Sequence, residues 1–231
     1  PNGRVGYMAA HGEMGGMMDW GMNFAGDIFG NNAEVKAKMN KAKELMKDVK
    51  FGQVVATFEL NEDIENGIFT ATALTEATPA DKMKELTRNM AFEVDIPGMK
   101  QTITVKKDAE KYGDLLADVV TTKQEFDEEL DPLGTQQEII DLIHGPNGLV
   151  QRMVTTKNIV IQTTGGTQDT MKAALAAFNS PSGATNEALN EARGMVLKKA
   201  NLIILLDLQN FVIQGLKTAV ATGKVPIPIP I

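Results

Sequence analysis

Soft metal ligands crowd the first stretch of this chain. Met8, His11, Met14, Met17, Met18 and Met22 place five thioethers and one imidazole within fifteen residues. Thioether sulfur and imidazole nitrogen suit Cu(I), so these six residues are the candidate metal ligands. The same residues admit a packing reading, because methionine is unbranched and polarizable and fills irregular gaps against a sheet or a neighbouring chain. Met39, Met46, Met83 and Met90 fall on helical stripes, where packing places them.

Other constellations are weaker. The run Glu125 to Asp131 offers carboxylates to Ca²⁺, yet it lacks the Asp-x-Asp-x-Asp-Gly spacing of an EF-hand loop and reads as a charged strand end. Thr163-Thr164-Gly165-Gly166-Thr167 joins a strand to a helix start, where phosphate can bind. It matches neither the Walker pattern nor Gly-x-Gly-x-x-Gly, and paired glycines are what a tight strand-to-helix turn needs. His144 precedes Gly145-Pro146-Asn147-Gly148 and reads as a last-turn residue whose charge the helix dipole favours. Carboxylate pairs are the remaining catalytic resource, but one Trp and 5% aromatics supply little lining for a sugar cleft.

Composition removes further chemistry. With 231 residues, 43% hydrophobic and 23% charged, the chain belongs with folded globular proteins rather than disordered or collagen-like ones. Zero Cys excludes disulfides, thiolate nucleophiles and cysteine zinc sites, and the two serines, Ser180 and Ser182, share one loop. A formal charge of −7, with lysines interleaved among acids as in Lys82-Met83-Lys84-Glu85, argues against nucleic acid as a partner. No apolar run approaches the roughly 20 residues that cross a bilayer. No cofactor is implied.

The elements that must position these groups follow from periodicity. Val35, Met39, Ala42, Leu45 and Met46 recur at helical spacing over 33–48, behind a cap at Asn32. Residues 51–61 alternate, Asn66-Gly67 is a hairpin turn signal, and Ile68, Thr70, Thr72 and Leu74 resume the alternation. Thr78 and Pro79 read as the cap and first position of the next helix. Strands are expected at 101–106 and 115–126 around Tyr112-Gly113-Asp114, a helix at 136–144, and a hairpin at 149–155 and 158–164. Thr167 caps another helix, and one more is expected at 187–197. Residues 201–208 read as a fully buried strand and 211–221 as the last helix. The fold class is therefore α+β, an antiparallel sheet of about six to eight strands with helices packed on one face. The shared order of hairpin, then helix opening Asp81-Lys82-Met83-Lys84 or Asp169-Thr170-Met171-Lys172, suggests two duplicated modules, 33–132 and 133–223. Residues 1–32 read as an irregular Met- and Gly-rich segment, and the prolines of 224–231 force an extended tail.

The stretch from Val154 to Phe211 resembles a known group. Its hairpin ending Val160-Ile161-Gln162-Thr163-Thr164-Gly165-Gly166, the helix from Asp169, and the run ending Leu206-Asp207-Leu208 are similar to uncharacterised exported bacterial proteins of repeated α+β modules, the DUF3352-like group. The resemblance covers between a third and a half of the chain. It implies export, with a signal peptide and a further module upstream of Pro1, and it carries no activity or site residue. The expectation is a non-enzymatic envelope or extracellular protein that binds or assembles, with itself or another envelope protein as partner. A carrier of a small apolar ligand or lipid and a carboxylate-dependent hydrolase are the alternatives.

Overall fold

A computed structural model describes residues 4–11, 23, 33–60, 65–180, 191, 194 and 201–221. Its centre is a nine-stranded sheet, one strand more than the upper expectation. The strands are β1 (Arg4–Ala10), β2 (Lys50–Leu60), β3 (Phe69–Thr78), β4 (Phe92–Ile96), β5 (Met99–Tyr112), β6 (Leu115–Phe126), β7 (Leu149–Thr155), β8 (Ile159–Thr164) and β9 (Leu202–Leu206). They lie in the order β4-β5-β6-β7-β8-β3-β2-β1-β9, every neighbouring pair antiparallel. The described helices are α1 (Ala33–Met46), α2 (Asp81–Arg88), α3 (Thr135–His144), α4 (Gln168–Phe178) and α5 (Leu208–Ala221). The architecture is α+β, as the alternation of periods requires.

Local chemistry explains the elements. Gly113, at φ +62°, opens the Gly113-Asp114 turn that sets Tyr112 opposite Leu115, because a two-residue hairpin needs a left-handed residue there. Thr167 accepts from the Asp169 N–H at 3.3 Å and Thr170 Oγ1 accepts from the Thr167 N–H, a capping box that starts α4. β7 stops pairing with β6 at Leu149 opposite Thr122. Beyond that point the Gln137 amide of α3 takes over the edge, accepting from the Phe126 N–H and donating to the Gln124 carbonyl.

Helices cover both faces, where one covered face is expected. Met153 and Val154 are consecutive on β7, point to opposite faces, and are both buried. Met153 packs with Met46, Val49, Ala77, Ala80 and Val160, under α1 and α2. Val154 packs with Ala117, Ile161, Met171, Ala174 and Leu175, under α4. A central strand buried on both sides has no polar face, so alternation cannot reveal which side a helix takes. The helices that follow hairpins β2–β3 and β7–β8 therefore sit on opposite faces, which two copies of one packed module would not give.

Other expectations shift. Arg4–Ala10 is a strand inserted between β2 and β9, although glycine and alanine obscure its pattern. Leu60 pairs with Phe69, so Asn66-Gly67 is not a two-residue turn. Instead Gly67 lies against the backbone of His144 and Gly145, and the Ile68 N–H donates to the Leu142 carbonyl. β3 runs through Thr78, so Pro79 lies two residues before the start of α2, which begins behind Ala80 with no side-chain cap. The expected cap Asn32, most of the helix at 187–197 and the tail 224–231 lie outside the described residues.

Candidate docking surface

The structure separates the proposed copper ligands that it describes. Met8 lies on β1 opposite Ala56 and Ile204 and is partly buried, while His11 is exposed just beyond the strand, its N–H donating to the Asn201 carbonyl. Three residues apart on extended chain, the two side chains leave opposite faces. Met14, Met17, Met18 and Met22 lie outside the described residues. Among the described residues no three His, Asp or Glu side chains converge as a metal site.

The acidic run serves the backbone. Asp127 Oδ1 accepts from the N–H groups of Glu129 and Leu130, and Glu125 pairs with Lys123 at 2.7 Å. Asp131 Oδ2 accepts from the Gln137 N–H at 2.9 Å at the start of α3. Burial raises the Asp131 pKa, but hydrogen bonds from the Gln137, Gln136 and Thr135 amides outweigh it and hold the carboxyl below its usual range. Gly165 and Gly166 both have positive φ, and a Cβ on Gly165 would lie 2.0 Å from the Phe69 carbonyl oxygen. The Gly-Gly pair therefore serves close packing, as the turn reading expects.

Two ion clusters flank an irregularity in β5 between Lys106 and Glu110. On one side Asp118, fully buried, receives Arg88 Nε at 2.7 Å, Arg88 Nη2 at 2.8 Å and the Asp108 N–H at 2.8 Å. Asp108, at φ +50°, is bridged by Lys84 at 2.8 Å and Arg88 at 2.7 Å. On the other side Glu110 receives Arg152 Nε at 3.0 Å and the Tyr112 hydroxyl, while Arg152 Nη1 donates to the Gly166 carbonyl at 3.1 Å. Burial and the adjacent Glu110 push the Tyr112 phenol upward. Every described carboxyl group whose pKa is shifted is shifted downward. A general acid at neutral pH needs the opposite shift, so Asp108 and Asp118 act as fixed charges paired with Lys84 and Arg88.

His144 stands in the last turn of α3, as expected, but its pKa moves the other way. Partial burial lowers it below the ordinary imidazole value.

Of the fifteen large apolar residues exposed among the described residues, nine lie on β9 and α5, at one end of the sheet. β9 reads Leu202-Ile-Ile-Leu-Leu and is the sheet's last strand, not an interior one. Leu202, Ile204 and Leu206 are each 56% exposed, which corrects the expectation of a fully buried strand. A short apolar run reads the same whether it is buried by its own chain or left open at an edge. Asp207 caps the helix that follows, its Oδ1 accepting from the Asn210 N–H at 2.9 Å, so α5 begins at Leu208 instead of residue 211.

α5 packs on β1 and β2 with Asn210, Gln214 and Thr218 as its more buried residues. Its apolar residues Leu208, Phe211, Val212, Ile213, Leu216 and Val220 are all exposed. An apolar helix laid with Asn210, Gln214 and Thr218 inward leaves hydrophobic surface that a closed domain would bury. The clue was present in the sequence: α5 is apolar around most of its circumference.

Among the described residues the outer backbone of β9 has no partner either. The His11 N–H donates to the Asn201 carbonyl and the Asp207 N–H to the Val5 carbonyl. In an antiparallel ladder hydrogen-bonded pairs alternate, so residues 201, 203, 205 and 207 bond toward β1. Leu202, Ile204 and Leu206 consequently turn their N–H and C=O groups away from the sheet. The opposite edge is guarded, since β4 carries Glu93 and Asp95, whereas β9 has no charge, proline or bulge.

No family model, curated protein or solved structure matches the chain. Among the described residues no helix is long and apolar enough to cross a membrane.

Proposed function

We propose that this chain is an exported protein of the cell envelope or extracellular space that works by binding or assembling, and that it docks through the surface formed by β9 and α5. The observation that carries this reading is the edge at Leu202, Ile204 and Leu206, which joins main chain with no outer partner among the described residues to exposed apolar side chains. Edge-strand addition draws affinity from main-chain hydrogen bonds and selectivity from alternate side chains, and β9 offers both. The paired carboxylates support a structural use of charge over a catalytic one. The resemblance of Val154 to Phe211 to exported modular proteins supports the compartment.

The test of docking is a fluorescent apolar probe such as anilinonaphthalene sulfonate. Binding by the dilute, monomeric chain that falls when Leu206 or Phe211 is changed to Glu supports the surface, and no binding by the monomeric wild-type chain overturns it. Export is tested by fractionating cells that make the full-length protein. Recovery outside the cytoplasm supports it, and recovery in the cytosol overturns it.

A further inference from the structure

We infer that the occupant of the β9 edge is a second copy of the same chain, joined antiparallel about a two-fold axis at Ile204. The inference rests on the docking reading above and names its partner.

The outward residues 202, 204 and 206 are symmetric about 204. Turning a second copy through 180° sets Ile204 opposite the second copy's Ile204, and Leu202 opposite its Leu206. Each such pair exchanges two backbone hydrogen bonds, so three pairs give about six, all from groups that β1 leaves free. The six side chains gathered along that seam are all leucine or isoleucine and share one face of the joined sheet. At each end Asn201 meets the second copy's Asp207, an amide beside a carboxylate, so no like charges are brought together. That self-complementarity is what a two-fold interface demands of one surface.

Size agrees. Nine apolar side chains of β9 and α5 are 40–68% exposed, an open apolar surface of roughly 800 Å² per protomer, on the scale of the share one partner contributes to a stable interface; Leu202, Ile204 and Leu206 line the seam itself and the α5 residues, on the neighbouring helix, border it. The guarded β4 edge shows that the fold protects its other end against the same event.

The absence of cysteine makes the register directly testable. Residues opposite each other in a hydrogen-bonded antiparallel pair have Cα atoms about 5.5 Å apart, within disulfide range. Ile204→Cys should therefore oxidise to a covalent dimer. Leu202→Cys alone should not, but mixed with Leu206→Cys it should give the mixed disulfide. Light scattering and sedimentation over a dilution series should show a wild-type dimer. Ile204→Lys and Ile204→Pro should each weaken it by about 30-fold or more with an unchanged circular dichroism spectrum. The Pro variant removes only the outward N–H, which the β1 ladder does not use.

A monomeric wild-type chain whose Ile204→Cys form does not crosslink overturns the second-copy inference. If that monomer still binds the apolar probe, the docking reading survives with another partner. If it binds none and the amides of residues 202, 204 and 206 resist exchange, the chain covers its own edge and both fall. A dimer that persists in Ile204→Lys, or vanishes only when residues 222–231 are removed, also overturns the inference.

Discussion

Arg88 grips Asp118 with two parallel hydrogen bonds, Nε to Oδ2 at 2.7 Å and Nη2 to Oδ1 at 2.8 Å, across thirty residues of chain. The carboxylate is fully buried on β6 and the guanidinium ends α2, so this contact fixes the helix to the sheet. Asp118→Ala strands the Arg88 charge and leaves the Asp108 N–H without its acceptor. Removing one partner of such a pair costs about 3–5 kcal/mol, which urea unfolding should register.

The same pair sets an acid limb. Burial raises the Asp118 pKa, but Arg88 and the Asp108 amide outweigh it, so the folded value lies below the ordinary one. Its stabilising contribution is complete above the unfolded pKa of about 4 and is lost as pH falls through the folded value. Asp118→Asn should therefore flatten the fall in stability below about pH 4. An acid limb as steep as wild type would contradict the pairing.

His144 gives a second window. Its folded pKa is lowered by burial, so the unfolded chain takes up the proton first as pH falls through about 6.5. Stability from this group is complete above that value and is lost below it. Urea midpoints between about pH 7.5 and pH 5 should decline in wild type and decline less in His144→Gln.

Much of this was legible from the residues and some was not. Thr167 announced α4, and the hairpins at 112–115 and 155–159 followed from alternation and turn chemistry. Arg88 and Asp118 obey no period, because a contact between a helix end and a distant strand leaves no local trace. Met153 and Val154 hid the two-sided burial, and Leu202 to Leu206 hid an edge, because an apolar run records hydrophobicity and not what covers it. Asp207 was a readable cap that would have begun α5 at its true position.

Gly67 ties the β2–β3 connection to the end of α3. At φ +84°, with a Cβ only 2.4 Å from the His144 carbonyl carbon and 2.6 Å from the Gly145 nitrogen, it leaves no room for a side chain. Gly67→Ala should cost about 2–4 kcal/mol by thermal or urea unfolding, from the left-handed backbone and the contact together.

Thr163 runs the other way. Its hydroxyl is fully buried on β8, where Arg152 and Thr72 are its neighbours on the flanking strands, and has no hydrogen-bond partner among the described residues. Thr163→Val keeps the shape, removes the unsatisfied group and suits a strand, so it should raise stability by about 1 kcal/mol. A fall of similar size would show that the hydroxyl has a use.

Amide hydrogen exchange at Leu202 and Leu206 tests the docking edge most directly. In wild type, protection of these two amides should rise with protein concentration, and in Ile204→Lys both should exchange at free-edge rates throughout. Protection that is independent of concentration and unchanged by Ile204→Lys would contradict an edge that is open for docking.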